Sequence, residues 1–125
     1  MKLKQITIAL AAFTFLAAAA RADDAFDVDL KAVRDAWSIA NYRTPEDRKE
    51  DAFKKLMVQS DAFVKKYPQR PEALIWDGIV LSTYAGVNGG MGALAPAKKS
   101  RERFEAALSI DEKALDAREH QIQGP

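Results

Sequence analysis

His120 is the only histidine in this sequence of 125 residues, and cysteine is absent. A lone imidazole can act as a base or a metal ligand. No motif places Asp, Ser or Cys around this one, so it reads as a surface residue. Ser60, Ser82, Ser100 and Ser109 stand in no G-x-S-x-G elbow. Asp23, Asp24, Asp27 and Asp29 crowd together as the acids of a calcium loop do. The Gly turn and terminal Glu of an EF-hand are missing, so these carboxylates read as residues facing the positive end of a helix dipole. Gly86, Gly89, Gly90 and Gly92 could cradle a phosphate. They follow a helical pattern instead of a strand, and no Gly-Lys-Ser/Thr accompanies them. Lys98, Lys99, Arg101 and Arg103 form a basic run. Glu102 and Glu105 are interleaved at i,i+4 from Lys98 and Arg101, which predicts a salt-bridged outer face rather than an anion site. The expectation is a non-enzymatic protein with no metal site and no cofactor.

The elements that position these residues begin with an export leader. Met1 to Gln5 carries Lys2 and Lys4, and Ile6 to Ala20 is uncharged. Ala20-Arg21-Ala22 then supplies small residues before Asp23. A charged start, a short apolar run and an A-x-A site read as a signal peptide over residues 1–22. The run is too short to span a bilayer stably, so no lasting membrane span is expected after cleavage. Without cysteine there is neither a lipid attachment at the cut nor a disulfide. Removing Lys2, Lys4 and Arg21 takes the net charge from +1 to −2. That is no footprint of a nucleic-acid binder.

Residues 23–125 read as one all-α domain. Phe26, Leu30, Val33, Trp37 and Ala40 share one face of a first helix that stops near Asn41 to Arg43. Thr44-Pro45-Glu46-Asp47 restarts the chain, with Thr44 as the expected cap. The second helix runs to about Lys66, with Phe53, Leu56, Met57, Ser60, Phe63, Val64 and Tyr67 inward. Lys54, Lys55, Lys65 and Lys66 face mostly outward. Pro68 and Pro71 break the chain and open a third helix, Pro71 to about Ala85. Its apolar residues lie nearly all round, which implies packing on several sides. Gly78 in its middle implies close approach of a neighbouring helix. A fourth helix from Pro96 to about Ile110 turns Ala97, Phe104, Ala107, Leu108 and the stem of Arg101 inward. Asp111 is expected to cap a further helix holding Ala114, Leu115 and Ile122. The short breaks suggest antiparallel hairpins over about 24–67 and 71–110, with a partial helix over 111–123.

The third and fourth helices resemble a tetratricopeptide repeat. Leu74-x2-Asp77-Gly78-x2-Leu81 is similar to its first helix, with Asp77 and Leu81 as departures. Ser100-x3-Phe104-x2-Ala107 is similar to its second, with Ser in place of Ala. Trp37, Ala40, Ala52, Leu56 and Pro68 resemble the motif more loosely. Between Gly78 and Phe104 the chain is about ten residues longer than a repeat of ~34 residues allows. The surplus coincides with the Gly-rich stretch. The whole is similar to exported bacterial tetratricopeptide proteins, including those associated with TRAP-type solute transporters. Such arrays usually continue, so the resemblance implies a chain shortened at its C-terminus.

The resemblance implies a short α-solenoid with a concave groove lined by the first helix of each pair. Trp37, Asn41, Trp76, Asp77 and Tyr84 are the expected lining. The aromatics would give apolar contact, and Asn41 and Asp77 would orient a peptide or partner helix. Burial preference favours the core over a contact surface as the place of the two tryptophans. The loop from Ala85 to Ala95 reads first as a flexible connector, given its glycines; the alternative is that Val87, Met91 and Leu94, spaced by Gly89 and Gly90, lie against a partner or close over the groove. The expected function is a periplasmic or secreted protein-interaction scaffold with a protein or peptide partner in the cell envelope. The alternative is an accessory that passes a small ligand with a transporter's binding protein. A scaffold calls for an open groove. An accessory calls for a closed apolar pocket beneath the Gly-rich loop.

Overall fold

The computed structural model describes the backbone of residues 2–123 and the side chains of residues 21–113. The chain is helical almost throughout: α1 (Lys2–Tyr42), α2 (Glu46–Lys66), α3 (Pro71–Asn88) and α4 (Leu94–Gln123). One 3-10 turn, Gly90–Ala93, joins α3 to α4. Among the described residues there is no strand. Nor is any helix there long and apolar enough to cross a membrane. The expected roles of Ala114, Leu115, His120 and Ile122 concern side chains outside the described ones.

Consecutive helices pack side by side across short breaks, and α3 is central, touching α1, α2 and α4. Its composition follows from that place. Ala73, Leu74, Val80, Leu81, Tyr84 and Ala85 are all buried, because neighbours cover several of its sides. α1 buries Phe26, Val33 and Ala40 at seven-residue steps, and α2 buries Phe53, Leu56, Ser60, Phe63 and Val64. Both are the faces expected from periodicity. Two apolar clusters result. One joins Phe26, Val33, Phe63, Val64, Ala73, Leu74 and Ala107. The other joins Ala40, Phe53, Leu56, Val80 and Tyr84.

The α3–α4 contact depends on small residues. An ideal Cβ at Gly78 would lie 2.8 Å from the Phe104 ring. Ser100 is buried beside it and donates its hydroxyl to the Gly78 carbonyl at 2.7 Å. A side chain at position 78 would have to displace the Phe104 ring or separate the helices.

Five boundaries differ from the sequence reading. α1 already runs from Lys2, so Asp23, Asp24, Asp27 and Asp29 lie in mid-helix and do not meet the positive end of a helix dipole. Thr44 does not cap α2: its hydroxyl donates to the Ile39 carbonyl at 2.9 Å, closing the end of α1. Pro45 holds the cap position without a side-chain bond. α3 runs through Gly86 to Asn88, because one mid-helix glycine costs only ~1 kcal/mol. The break comes at Gly89 and Gly90, with φ of 67° and 57°, a region glycine enters without a Cβ penalty. α4 starts at Leu94 rather than Pro96, since a proline in the first turn forfeits an N–H that has no helical partner. Finally, α4 passes through Asp111 without interruption. No Gly or Pro stands between Pro96 and Gly124, and a single Asp costs a helix little.

α4 also presents a different face from the one expected. Ala107 is buried and Phe104 half-buried, but Ala97 and Arg101 are exposed and Leu108 is 60% exposed. Pro96, Ser100, Arg103, Phe104, Ala107 and Ile110 form the stripe against α3, at three- and four-residue steps.

Candidate functional site

An open cleft of about 560 Å3 lies along α1 where it meets α3. Asp27, Leu30, Lys31, Arg34, Asp35, Trp37, Ser38 and Trp76 line it. Seven of the eight come from α1, at steps of three, four and seven residues, so one helical stripe supplies the wall. Trp76 reaches in from α3.

The aromatic side chains are ordered as a row. Trp37 meets Trp76 edge to face, with centroids 6.0 Å apart, and meets Tyr42 in the same manner at 5.7 Å. The Trp37 indole N–H donates to the Thr83 hydroxyl at 3.1 Å, and that hydroxyl donates to the Ile79 carbonyl at 2.7 Å. This chain of bonds fixes the Trp37 ring in one orientation. The guanidinium of Arg34 lies 5.7 Å from the Trp76 centroid, within reach of a cation–π attraction. Lys31 donates to Asp35 at 2.5 Å across one turn of the exposed face. Among the described residues, Asp27 and Arg34 make no ion pair, and the Trp76 indole N–H makes no hydrogen bond. Two opposite charges and a donor are thus left at an open cleft.

The residues expected to line the groove separate into three groups. Trp37 and Trp76 come together in it, both half-buried, serving core and surface at once. Asn41 is half-buried near the end of α1 and lies outside the cleft lining. Asp77 and Tyr84 do not belong to the groove. Tyr84 is packed with Phe53, Leu56 and Val80. Asp77 is 1% exposed and wholly engaged inside the protein.

Asp77 is the centre of a polar layer between the two apolar clusters. Ser60 donates to one carboxylate oxygen at 2.6 Å, and Arg103 Nε donates to the other at 2.7 Å. Arg103 also reaches Asp61 at 3.4 Å, and Lys65 pairs with Asp61 at 2.8 Å. The Lys65 bond, helped by Lys99 and Arg103, holds the Asp61 carboxyl below its ordinary range against a smaller opposing effect of burial. The layer ties α2, α3 and α4 together. Arg103 read as part of an outer basic run in the sequence. The signal for its true role was the single carboxylate in Leu74-Ile75-Trp76-Asp77-Gly78-Ile79-Val80-Leu81, because a buried charge demands a partner.

The Gly-rich segment is less of a loop than expected. Val87 is half-buried in the last turn of α3, against the cluster of Ala40 and Tyr84. Gly89 and Gly90 make the turn, Met91 is 85% exposed in the 3-10 turn, and Leu94 opens α4. None of the five lines the cleft.

A smaller cavity of about 200 Å3 lies between α1 and α2, lined by Asp29, Ala32, Val33, Gln59, Ala62, Phe63 and Lys66. Its charges are satisfied internally. Asp29 accepts from Lys66 and from the Tyr67 hydroxyl, both at 2.8 Å. Those bonds hold the Asp29 carboxyl below its usual value. The same ion pair raises Lys66. Tyr67 is raised by burial first and by Asp29 second. Arg70 lies 3.8 Å from the Phe26 centroid and 3.4 Å from Asp23, closing this end of the hairpin.

Compared with family models, with curated proteins and with solved structures, the chain matches none of them.

Proposed function

We propose that this chain is a non-enzymatic docking module of the cell envelope, a short tetratricopeptide-like pair of helical hairpins that holds a segment of a partner protein in the α1–α3 cleft. The observation that carries this reading is the aromatic row Tyr42–Trp37–Trp76 beside Arg34, with Tyr42 and Arg34 exposed and the two tryptophans half-buried. Aromatic residues and arginine are the side chains that most often dominate binding energy at protein interfaces. Locking Trp37 through Thr83 lowers the ordering cost of binding. The contact of Gly78 on α3 with Ser100 and Phe104 on α4 supports the repeat-like pairing, since both small residues serve close helix approach.

The alternative, a solute-uptake accessory, calls for an enclosed apolar pocket beneath the Gly-rich segment. The two cavities along α1 receive no residue from Val87 to Leu94. An open cleft buries too little of a small ligand, which ordinarily loses 70–90% or more of its surface. Docking of a chain segment is therefore the favoured reading.

Export rests on the leader of residues 1–22. The expected product starts at Asp23, which keeps the Asp23–Arg70 pair and the buried Phe26. A photo-crosslinking residue at Ser38, in the cleft, should capture a discrete envelope protein in living cells. The same residue at Lys55, on the outer face of α2, should not. Equal capture from both positions, or a chain found in the cytosol with its leader intact, overturns the reading.

A further inference from the structure

The charges left open in the cleft specify what kind of segment it takes. Lys31 is engaged with Asp35 across one turn, and Arg34 and Asp27 are the cleft charges without an ion pair among the described residues. They stand seven residues apart on α1, two turns along the same stripe, which is about 10 Å. A polyproline II chain, extended with three residues per turn, advances about 3.1 Å per residue, so side chains three positions apart share a face about 9 Å apart. Trp76 Nε1 sits at this wall with no hydrogen-bond partner among the described residues, a donor suited to a main-chain carbonyl. Trp37 offers no such donor, because Thr83 already accepts from it.

Resting on the docking reading above, we propose that the cleft recognises an extended protein segment bearing an acidic and a basic residue three positions apart. The acidic side chain pairs with Arg34 and the basic one with Asp27. An apolar side chain between them lies against Trp76 and Trp37. Charge complementarity sets the spacing, and the indole rings provide the apolar contact. A segment that continues past both ends of an open cleft loses nothing by the cleft being open, whereas a free small zwitterion would remain largely hydrated.

The chain contains two tryptophans, and both line this cleft, so intrinsic emission reports on it directly. The probes are two acetylated, amidated octapeptides of one composition. In the first, glutamate and lysine are three positions apart with leucine between them. In the second, glutamate and lysine are adjacent. The spaced peptide should shift the emission saturably and bind about fivefold tighter than the adjacent one, the scale of one or two solvated ion pairs. Arg34→Glu should abolish that preference, and should bind a lysine–lysine peptide better than the native chain does. Asp27→Lys should do the same with a glutamate–glutamate peptide. Both positions are exposed, and the helical circular dichroism of each variant should be unchanged. Equal binding of the two octapeptides, or preference surviving both substitutions, overturns the proposal. If Ser38 still captures an envelope partner in that event, the docking reading stands and only the charge spacing falls. If the free amino acids glutamate and lysine shift the emission as well as the peptide does, a small-ligand site replaces the segment proposed here.

Discussion

The Phe104 ring occupies the space where a Cβ on Gly78 would be, 2.8 Å from its ideal position. Gly78→Ala gains up to ~1 kcal/mol in helix propensity but must push the ring or separate the helices, which costs about 1–3 kcal/mol. The expected net result is destabilisation of about 1 kcal/mol in urea unfolding. Phe104→Leu should relieve part of it, so the double variant should be more stable than the sum of the singles implies.

Asp77 and Arg103 form a partner-dependent pair. Asp77→Ala leaves a half-buried guanidinium without its main acceptor and the Ser60 hydroxyl without its carboxylate. Breaking such a pair from one side should cost about 3–5 kcal/mol. Ser60→Ala removes one neutral donor and should cost only ~1–2 kcal/mol. Equal losses in thermal or urea unfolding for the two variants would refute the assignment of Asp77 as the centre of the layer.

Acid should weaken the α1–α2 hairpin first. The folded-state carboxyl of Asp29 lies below the ordinary aspartate value because Lys66 and Tyr67 donate to it. A depressed carboxyl contributes stability that is present above the unfolded value and disappears as pH falls through the folded value. The loss therefore begins below about pH 4 and continues downward. Asp61 acts in the same direction through Lys65. Replacing Asp29 with Asn should lower stability at pH 7 and flatten the acid limb of the stability profile, measured by urea midpoints from pH 2 to 7.

Thr83→Val removes the acceptor of the Trp37 indole N–H while keeping the shape of the side chain. The loss should be about 1 kcal/mol. Partner capture from Ser38 should fall by more than the change in stability explains, because the Trp37 ring would lose its fixed orientation.

Leu108→Ser and Ala97→Ser should each change stability by no more than ~0.5 kcal/mol, since both positions face solvent. Ala107→Ser, one residue from Leu108 and buried, should be clearly destabilising in the same assay.

The sequence by itself determined the helical class, the buried faces of α1 and α2, the break at Tyr67 to Arg70 and the close approach at Gly78. These follow from periodicity, proline geometry and glycine size, which act over a few residues. It also placed Trp37 and Trp76 in one neighbourhood, where their rings meet. Only the tertiary structure decided which residues stand beside them. Asp77 and Tyr84 lie on the same helix as Trp76, but they point into neighbours the sequence does not locate, and they became core. Arg34, Asp27 and Lys31 entered the site because α1 turns that stripe toward α3. Arg103 turned inward, and Arg101 outward, once α4 presented Ser100 and Ala107 to α3. Local physics fixes the phase of a helix pattern, whereas the rotation of one helix against another is set by all the contacts at once.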